Sequence, residues 1–150
     1  MKLYRAVSSF NGESIQFNHY IKKPRQPRDT ELALHTVCDS WFYHNYGIYA
    51  RSQTIFCSPC RLEAAKYLVN GGVMLELEIP KNEFFSAIYS LSVSDLFSET
   101  RHLNSPYDNK EVWNLLASKA YQVTNDLSTI PVFFKGEIML YIEKFSAREV

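Results

Sequence analysis

The sequence predicts an α+β domain, with runs of strands set beside a few helices. Three observations carry that expectation. "VMLELEIP" and "GEIMLYIEKF" alternate apolar and polar residues with the period of a half-buried strand. Residues 30–45 and 110–126 carry apolar residues at helical spacing. Hydrophobic residues make up 46% of the 150-residue chain and aromatics 15%, enough for one sizeable core. With no linker or repeat visible, residues 1–150 read as a single domain.

"KLYRAV" reads as the first strand, with Leu3, Arg5 and Val7 on one side and Tyr4 and Ala6 on the other. The two prolines of "IKKPRQPRDT" exclude regular structure there. Asp29 or Thr30 can cap a helix running to about Asn45, because their side-chain oxygens accept orphan amide hydrogens. Leu34, Val37, Cys38, Trp41 and Phe42 form its apolar stripe, and Gly47 suits the position beyond its end. "SQTIFCS" is β-like and stops at Pro59, and "RLEAAKYLVN" is a short helix closed by Gly71 and Gly72. Val73, Leu75, Leu77 and Ile79 face a core while Glu76 and Glu78 face out, and "SAIYSLSV" is a further strand. A second helix spans Lys110 to about Asp126, with Val112, Leu115, Leu116, Ala120 and Val123 inward. The closing strand puts Ile138, Leu140 and Ile142 on one face and Glu137, Met139 and Tyr141 on the other.

Lysine plus arginine equals aspartate plus glutamate at 16 each, so bulk charge gives no argument for nucleic acid or an anionic membrane. The amino terminus lacks the apolar core of a signal peptide and no segment is apolar enough to span a bilayer. Three cysteines, two of them in "CSPC", do not make a secreted disulfide framework, and the expectation is a soluble cytoplasmic protein. Cys57-x-x-Cys60 has no second pair, and His19, His35, His44 and His102 are scattered, so no metal site is expected. A redox dithiol would follow a βαβ unit, which is missing here, and both cysteines read as small apolar packers.

Three segments, in order, resemble the ADP-ribosyltransferase fold in its arginine-serine-glutamate class, which includes small phage and bacterial transferases that consume NAD. "LYRAV" puts Arg5 where that class carries an arginine on its first strand. "RSQTIFCSPCRLEAAKYL" resembles its hydroxyl-rich strand followed by an alanine- and aromatic-containing helix, and "VMLELEIPK" the strand after it. "KGEIMLYIEKF" supplies Glu137 where the class carries its catalytic glutamate. The resemblance implies split mixed or antiparallel β-sheets flanked by a few helices. The chain departs from the pattern in two places. The serine-threonine-serine triplet is replaced by Ser58-Pro59-Cys60, with Ser52-Gln53-Thr54 as a competing register. The glutamate-x-glutamate of arginine-modifying members is Lys135-Gly136-Glu137, which implies an acceptor other than arginine, or loss of transfer.

What the resemblance implies has a physical basis in these residue types. Breaking the nicotinamide–ribose bond of NAD builds oxocarbenium-like charge, which a fixed carboxylate at Glu137 stabilises more than it stabilises the ground state. Arg5 would hold the pyrophosphate or the neighbouring ribose through paired hydrogen bonds. Ser58 or Ser52 would orient the ribose or Glu137, and Phe56 or Tyr49 would stack on nicotinamide. Lys22, Lys23, Arg25 and Arg28 form a basic loop that is either solvated or an anion clamp, for NAD phosphates or for nucleic acid. The expected activity is transfer of ADP-ribose from NAD to a macromolecular acceptor, protein or nucleic acid. The alternative is a catalytically silent binding module for NAD, ADP-ribose, nucleic acid or a partner protein.

Overall fold

The computed structural model describes residues 1–150 as an α+β structure with two four-stranded antiparallel sheets. The first sheet runs in the order β1 (Leu3–Val7), β4 (Val73–Glu78), β8 (Lys144–Glu149), β2 (Ile15–Phe17). The second runs β3 (Ile55–Cys57), β7 (Ile138–Ile142), β5 (Phe85–Tyr89), β6 (Gln122–Thr124). The helices are α1 (Leu32–Tyr46), α2 (Arg61–Ala65), α3 (Leu96–Thr100) and α4 (Asn109–Ser118). No helix is long and apolar enough to cross a membrane.

Two cores set the layering. Leu3, Leu75, Leu77, Phe145 and Ala147 of the first sheet pack against Ile55, Ala87, Ile138, Leu140 and Ile142 of the second. On the far side of the second sheet, Leu34, Cys38, Trp41 and Phe42 of α1 pack with Val112 and Leu116 of α4 against Ile88 and Met139. Strand β7 is therefore buried on both faces, which explains why Met139 is as enclosed as its neighbours Ile138 and Leu140. Glu137 stands one residue ahead of that strand and escapes the core.

The ends of α1 follow local chemistry only in part. Gly47 adopts the left-handed conformation and its N–H closes on the Tyr43 carbonyl at 2.8 Å. At the start, Glu31 takes the cap position without a side-chain hydrogen bond, so neither Asp29 nor Thr30 caps this helix. The second long helix ends at Ser118 rather than near Asp126. Ala120 turns left-handed, and the chain re-enters as strand β6 on the edge of β5, which leaves Ala120 and Val123 exposed. The closing segment makes two strands, β7 and β8, that belong to different sheets.

The two sheets meet at their edges. Strands β1 and β3 are both edge strands, and Tyr4 and Ser58 exchange backbone hydrogen bonds of 2.8 and 2.9 Å across them. This single bridge brings the first strand beside the segment that begins α2.

Candidate active site

A cleft of about 350 Å³ opens beside that bridge, a volume typical of the smaller ligand pockets. Arg5, Phe56, Ser58 and Glu137 all line it, brought there from β1, β3, the β3–α2 junction and the lead into β7. Arg25, Arg51, His35, Tyr67 and Asp95 complete the parts with chemical character.

Phe56 organises three arginines. Its carbonyl accepts a 3.1 Å hydrogen bond from the Arg5 guanidinium. Its ring lies 4.0 Å from the Arg25 guanidinium and 4.3 Å from that of Arg51, and Arg25 also stacks on Tyr20 at 4.1 Å. Such contacts contribute roughly 0.5–2 kcal/mol each, more where water is excluded. Phe56 thus holds cations and does not present a bare ring for a ligand to stack on. Arg25 is further fixed by hydrogen bonds to the carbonyls of Arg51 (3.1 Å) and Thr54 (2.7 Å). Its backbone N–H bonds the Ser52 carbonyl, which pins the proline-flanked loop to the 51–54 turn at Arg25, while Lys22, Lys23 and Arg28 of the basic loop are exposed.

The three guanidiniums differ in their partners. Arg51 donates to Glu137 Oε1 at 2.6 Å, and both side chains are only 12% exposed. Burial alone would lower the Arg51 pKa, but the Glu137 carboxylate outweighs it and lifts it above the ordinary value. Arg5 and Arg25 have no carboxylate partner. Burial pulls Arg5 below its ordinary value against the opposing pull of the Tyr20 phenol. Burial, followed by repulsion from Arg5, brings Arg25 down to about 10. Burial disfavours ionisation of the Tyr20 phenol, yet Arg25 and then Arg5 pull it below its usual value. Arg5 and Arg25 thus line one cleft as two partly buried cations without a carboxylate partner, an arrangement that favours an anion.

Glu137 is positioned through its backbone. Its N–H donates to the Ser94 carbonyl at 2.8 Å, and the Ser58 hydroxyl donates to the Lys135 carbonyl at 2.8 Å. Between these anchors sits Gly136, where an added Cβ would come 2.6 Å from the Val93 carbonyl oxygen and 2.9 Å from the Phe134 ring. Gly136→Ala is expected to destabilise the fold by about 1–3 kcal/mol and to shift Glu137. Urea unfolding together with any NAD-cleaving activity checks this, and a variant matching wild type in both would refute it.

Two expected site residues do not reach the cleft. Ser52 is buried with its hydroxyl donating to Asp39, whose carboxylate also accepts the N–H groups of Arg51 (2.8 Å) and Ser52 (3.3 Å). Tyr49, 40% exposed, stacks on Tyr43 with ring centroids 4.3 Å apart. Of the two serine registers, Ser58 is therefore the one at the site. Cys57 is buried, with its thiol donating to the Ile138 carbonyl at 3.6 Å, and burial pushes its pKa up to about 12. Such a thiol packs and does not react.

Sequence reasoning missed Arg51, Asp39 and Tyr67 as parts of this region. Burial, followed by the Asp95 and Glu137 carboxylates, raises the Tyr67 phenol well above its ordinary value, so it stays a hydrogen-bond donor at the cleft wall. His35 lines the cleft on α1, and burial lowers its pKa, partly opposed by Asp39 and reinforced by Arg51 and Arg25. The unfolded chain then binds a proton more readily than the folded one as pH falls through the ordinary histidine range. Stability is expected to fall on acidification through that range, and His35→Gln to flatten the slope. Urea midpoints for both proteins between about pH 7.5 and 4.5 test this, and parallel slopes would refute it.

The chain matches no protein family, no curated protein and no solved structure in comparison searches.

Proposed function

We propose that this protein is an NAD-dependent ADP-ribosyltransferase with an ADP-ribosyltransferase-like fold, transferring ADP-ribose to a macromolecular acceptor. One observation carries the reading: Arg5, Ser58 and Glu137, far apart in sequence, line one cleft with Arg25, and neither Arg5 nor Arg25 has a carboxylate partner. A diphosphate diester carries two negative charges, which matches the two unpaired cations Arg5 and Arg25. Glu137, held beside them, is suited to stabilise positive charge developing on the ribose as nicotinamide departs. Ser58 acts through the Lys135 carbonyl and so orients Glu137.

Two features bear on the acceptor. Lys135 occupies the position before Gly136-Glu137 where arginine-modifying enzymes carry a carboxylate, which disfavours an arginine acceptor. The loop tip at Val132 and Phe133, 98% and 72% exposed just ahead of Glu137, offers apolar surface to a protein acceptor. The three free cysteines fit a reducing, cytoplasmic setting, as for an effector of phage or bacterial origin.

Nicotinamide release from labelled NAD, in buffer and in bacterial lysate, tests the reading. Release, with label moving onto a macromolecule, is expected. NAD binding without release would favour a silent binding module, the second reading. That reading has its own support in the Arg51–Glu137 ion pair, which already neutralises the carboxylate.

A further inference from the structure

The ion pair at the centre of the cleft sets a condition on any reaction there. Arg51 covers the carboxylate that the transferase reading needs as a bare negative charge. The 2.6 Å contact and the enclosure of both side chains make the cancellation strong, because little water screens it. A ribose beside Glu137 in this state meets a neutral pair.

Arg51 is also part of the anion site. Its guanidinium shares the Phe56 ring with that of Arg25, whose own guanidinium bonds the Arg51 carbonyl. The backbone N–H of Arg51 is tied to Asp39, so the turn would stay in place if the side chain left Glu137 Oε1 and Met139 Sδ. Arg5, Arg25 and Arg51 line the same cleft, so an anion bound there would compete with Glu137 for Arg51.

We propose that Arg51 is a specificity-determining residue that makes cleavage conditional on a phosphate-bearing substrate. This rests on the transferase reading. Without phosphate, Arg51 stays on Glu137 and the ribose gains nothing. With phosphate bound, Arg51 turns to the anion and uncovers Glu137. The C1′–N bond then breaks with its electron pair leaving on neutral nicotinamide. C1′ takes a lone pair from the acceptor, or from water, whose proton passes to solvent. The substrate class is thus a nicotinamide nucleotide and not the nucleoside, although both contain the same scissile bond.

Nicotinamide release by the full chain is measured with NAD, with nicotinamide riboside, and with the riboside plus inorganic pyrophosphate. Wild type is expected to favour NAD over the riboside by at least about 100-fold. Pyrophosphate supplied separately is expected to raise riboside cleavage at least about tenfold. Arg51→Gln is expected to abolish that stimulation and to shrink the NAD-to-riboside ratio at least about tenfold. Arg51→Lys keeps a cation beside Glu137 and is expected to retain most of both effects. A purely structural role for Arg51 would lower all rates together and leave ratio and stimulation unchanged, which would overturn the proposal while leaving the transferase reading intact. Failure of wild type to cleave NAD, in buffer or in lysate, would instead overturn the transferase reading. The gate is then judged by the side-chain NMR signal of Arg51. A signal that millimolar pyrophosphate leaves unmoved overturns it, and one that moves in wild type sustains the coupling of anion to ion pair.

Discussion

Glu137→Gln is expected to slow nicotinamide release from NAD about 10²–10³-fold while NAD affinity holds or improves. The substitution keeps size and a hydrogen-bond acceptor toward Arg51, so the 2.6 Å contact survives in weakened form. On the transferase reading, what disappears is the negative charge that would act on the oxocarbenium-like transition state and little on bound NAD. Loss of that charge also leaves Arg51 uncompensated beside Arg5 and Arg25, which favours a diphosphate in the ground state. The effect should therefore fall on kcat with KM unchanged or lower. Breaking a largely enclosed ion pair should in addition destabilise the fold by about 1–3 kcal/mol, below the value for a fully buried pair. Nicotinamide release by chromatography, with a thermal melt of the same preparation, separates the two effects. An unchanged kcat in a folded variant would remove Glu137 from the chemistry.

Asp39→Ala should produce the largest stability loss of any single change near the cleft, about 3 kcal/mol. The carboxylate accepts from the N–H groups of Arg51 and Ser52 and from the Ser52 hydroxyl, all in a buried setting. Alanine leaves those donors unsatisfied, and the enclosed site gives water little room to replace the lost oxygens. For a chain of this size the loss corresponds to a fall in Tm of roughly 6–12 °C. Asp39→Asn retains one acceptor oxygen and should lose about a third as much. Because Asp39 fixes the turn that carries Arg51, the alanine variant should also loosen Arg51 from Glu137. Denaturant unfolding checks the ordering, and an alanine variant as stable as the asparagine variant would show that Asp39 does not anchor this turn.

Much of the fold was legible from periodicity. Strands β1, β3, β4 and β7 and helix α1 fall where alternation or a helical stripe puts them, because each has at least one face against a core. The misses share a cause. Strand β6 has exposed Val123 and only three residues, and its place is set by pairing with β5, which no local pattern announces. Strand β2 has the same handicap. At the cleft, only the resemblance singles out Arg5, Ser58 and Glu137, which the structure places along one cleft, since an arginine on a strand looks ordinary in sequence. Arg51 sat in plain view in "RSQTIFC", but its significance depends on Glu137, 86 positions away. Ser52 and Tyr49 were drawn in by the same stretch, and the tight turn at 49–52 sends both side chains elsewhere.

The bridge between Tyr4 and Ser58 has a neighbour that matters for its length. In an antiparallel ladder the next hydrogen-bonded rung would join Ala6 to Phe56. The Phe56 carbonyl instead accepts the guanidinium of Arg5, so a side chain stands where a backbone amide would go. Arg5 therefore sits in the seam between the two sheet edges, at the wall of the cleft that opens beside it. The same residue stands where the pairing ends and supplies charge to the cleft. Truncating Arg5 would alter that seam as well as the polarity of the cleft, and Arg25 is structural too, since it stacks on Tyr20 and Phe56 and bonds the carbonyls of Arg51 and Thr54.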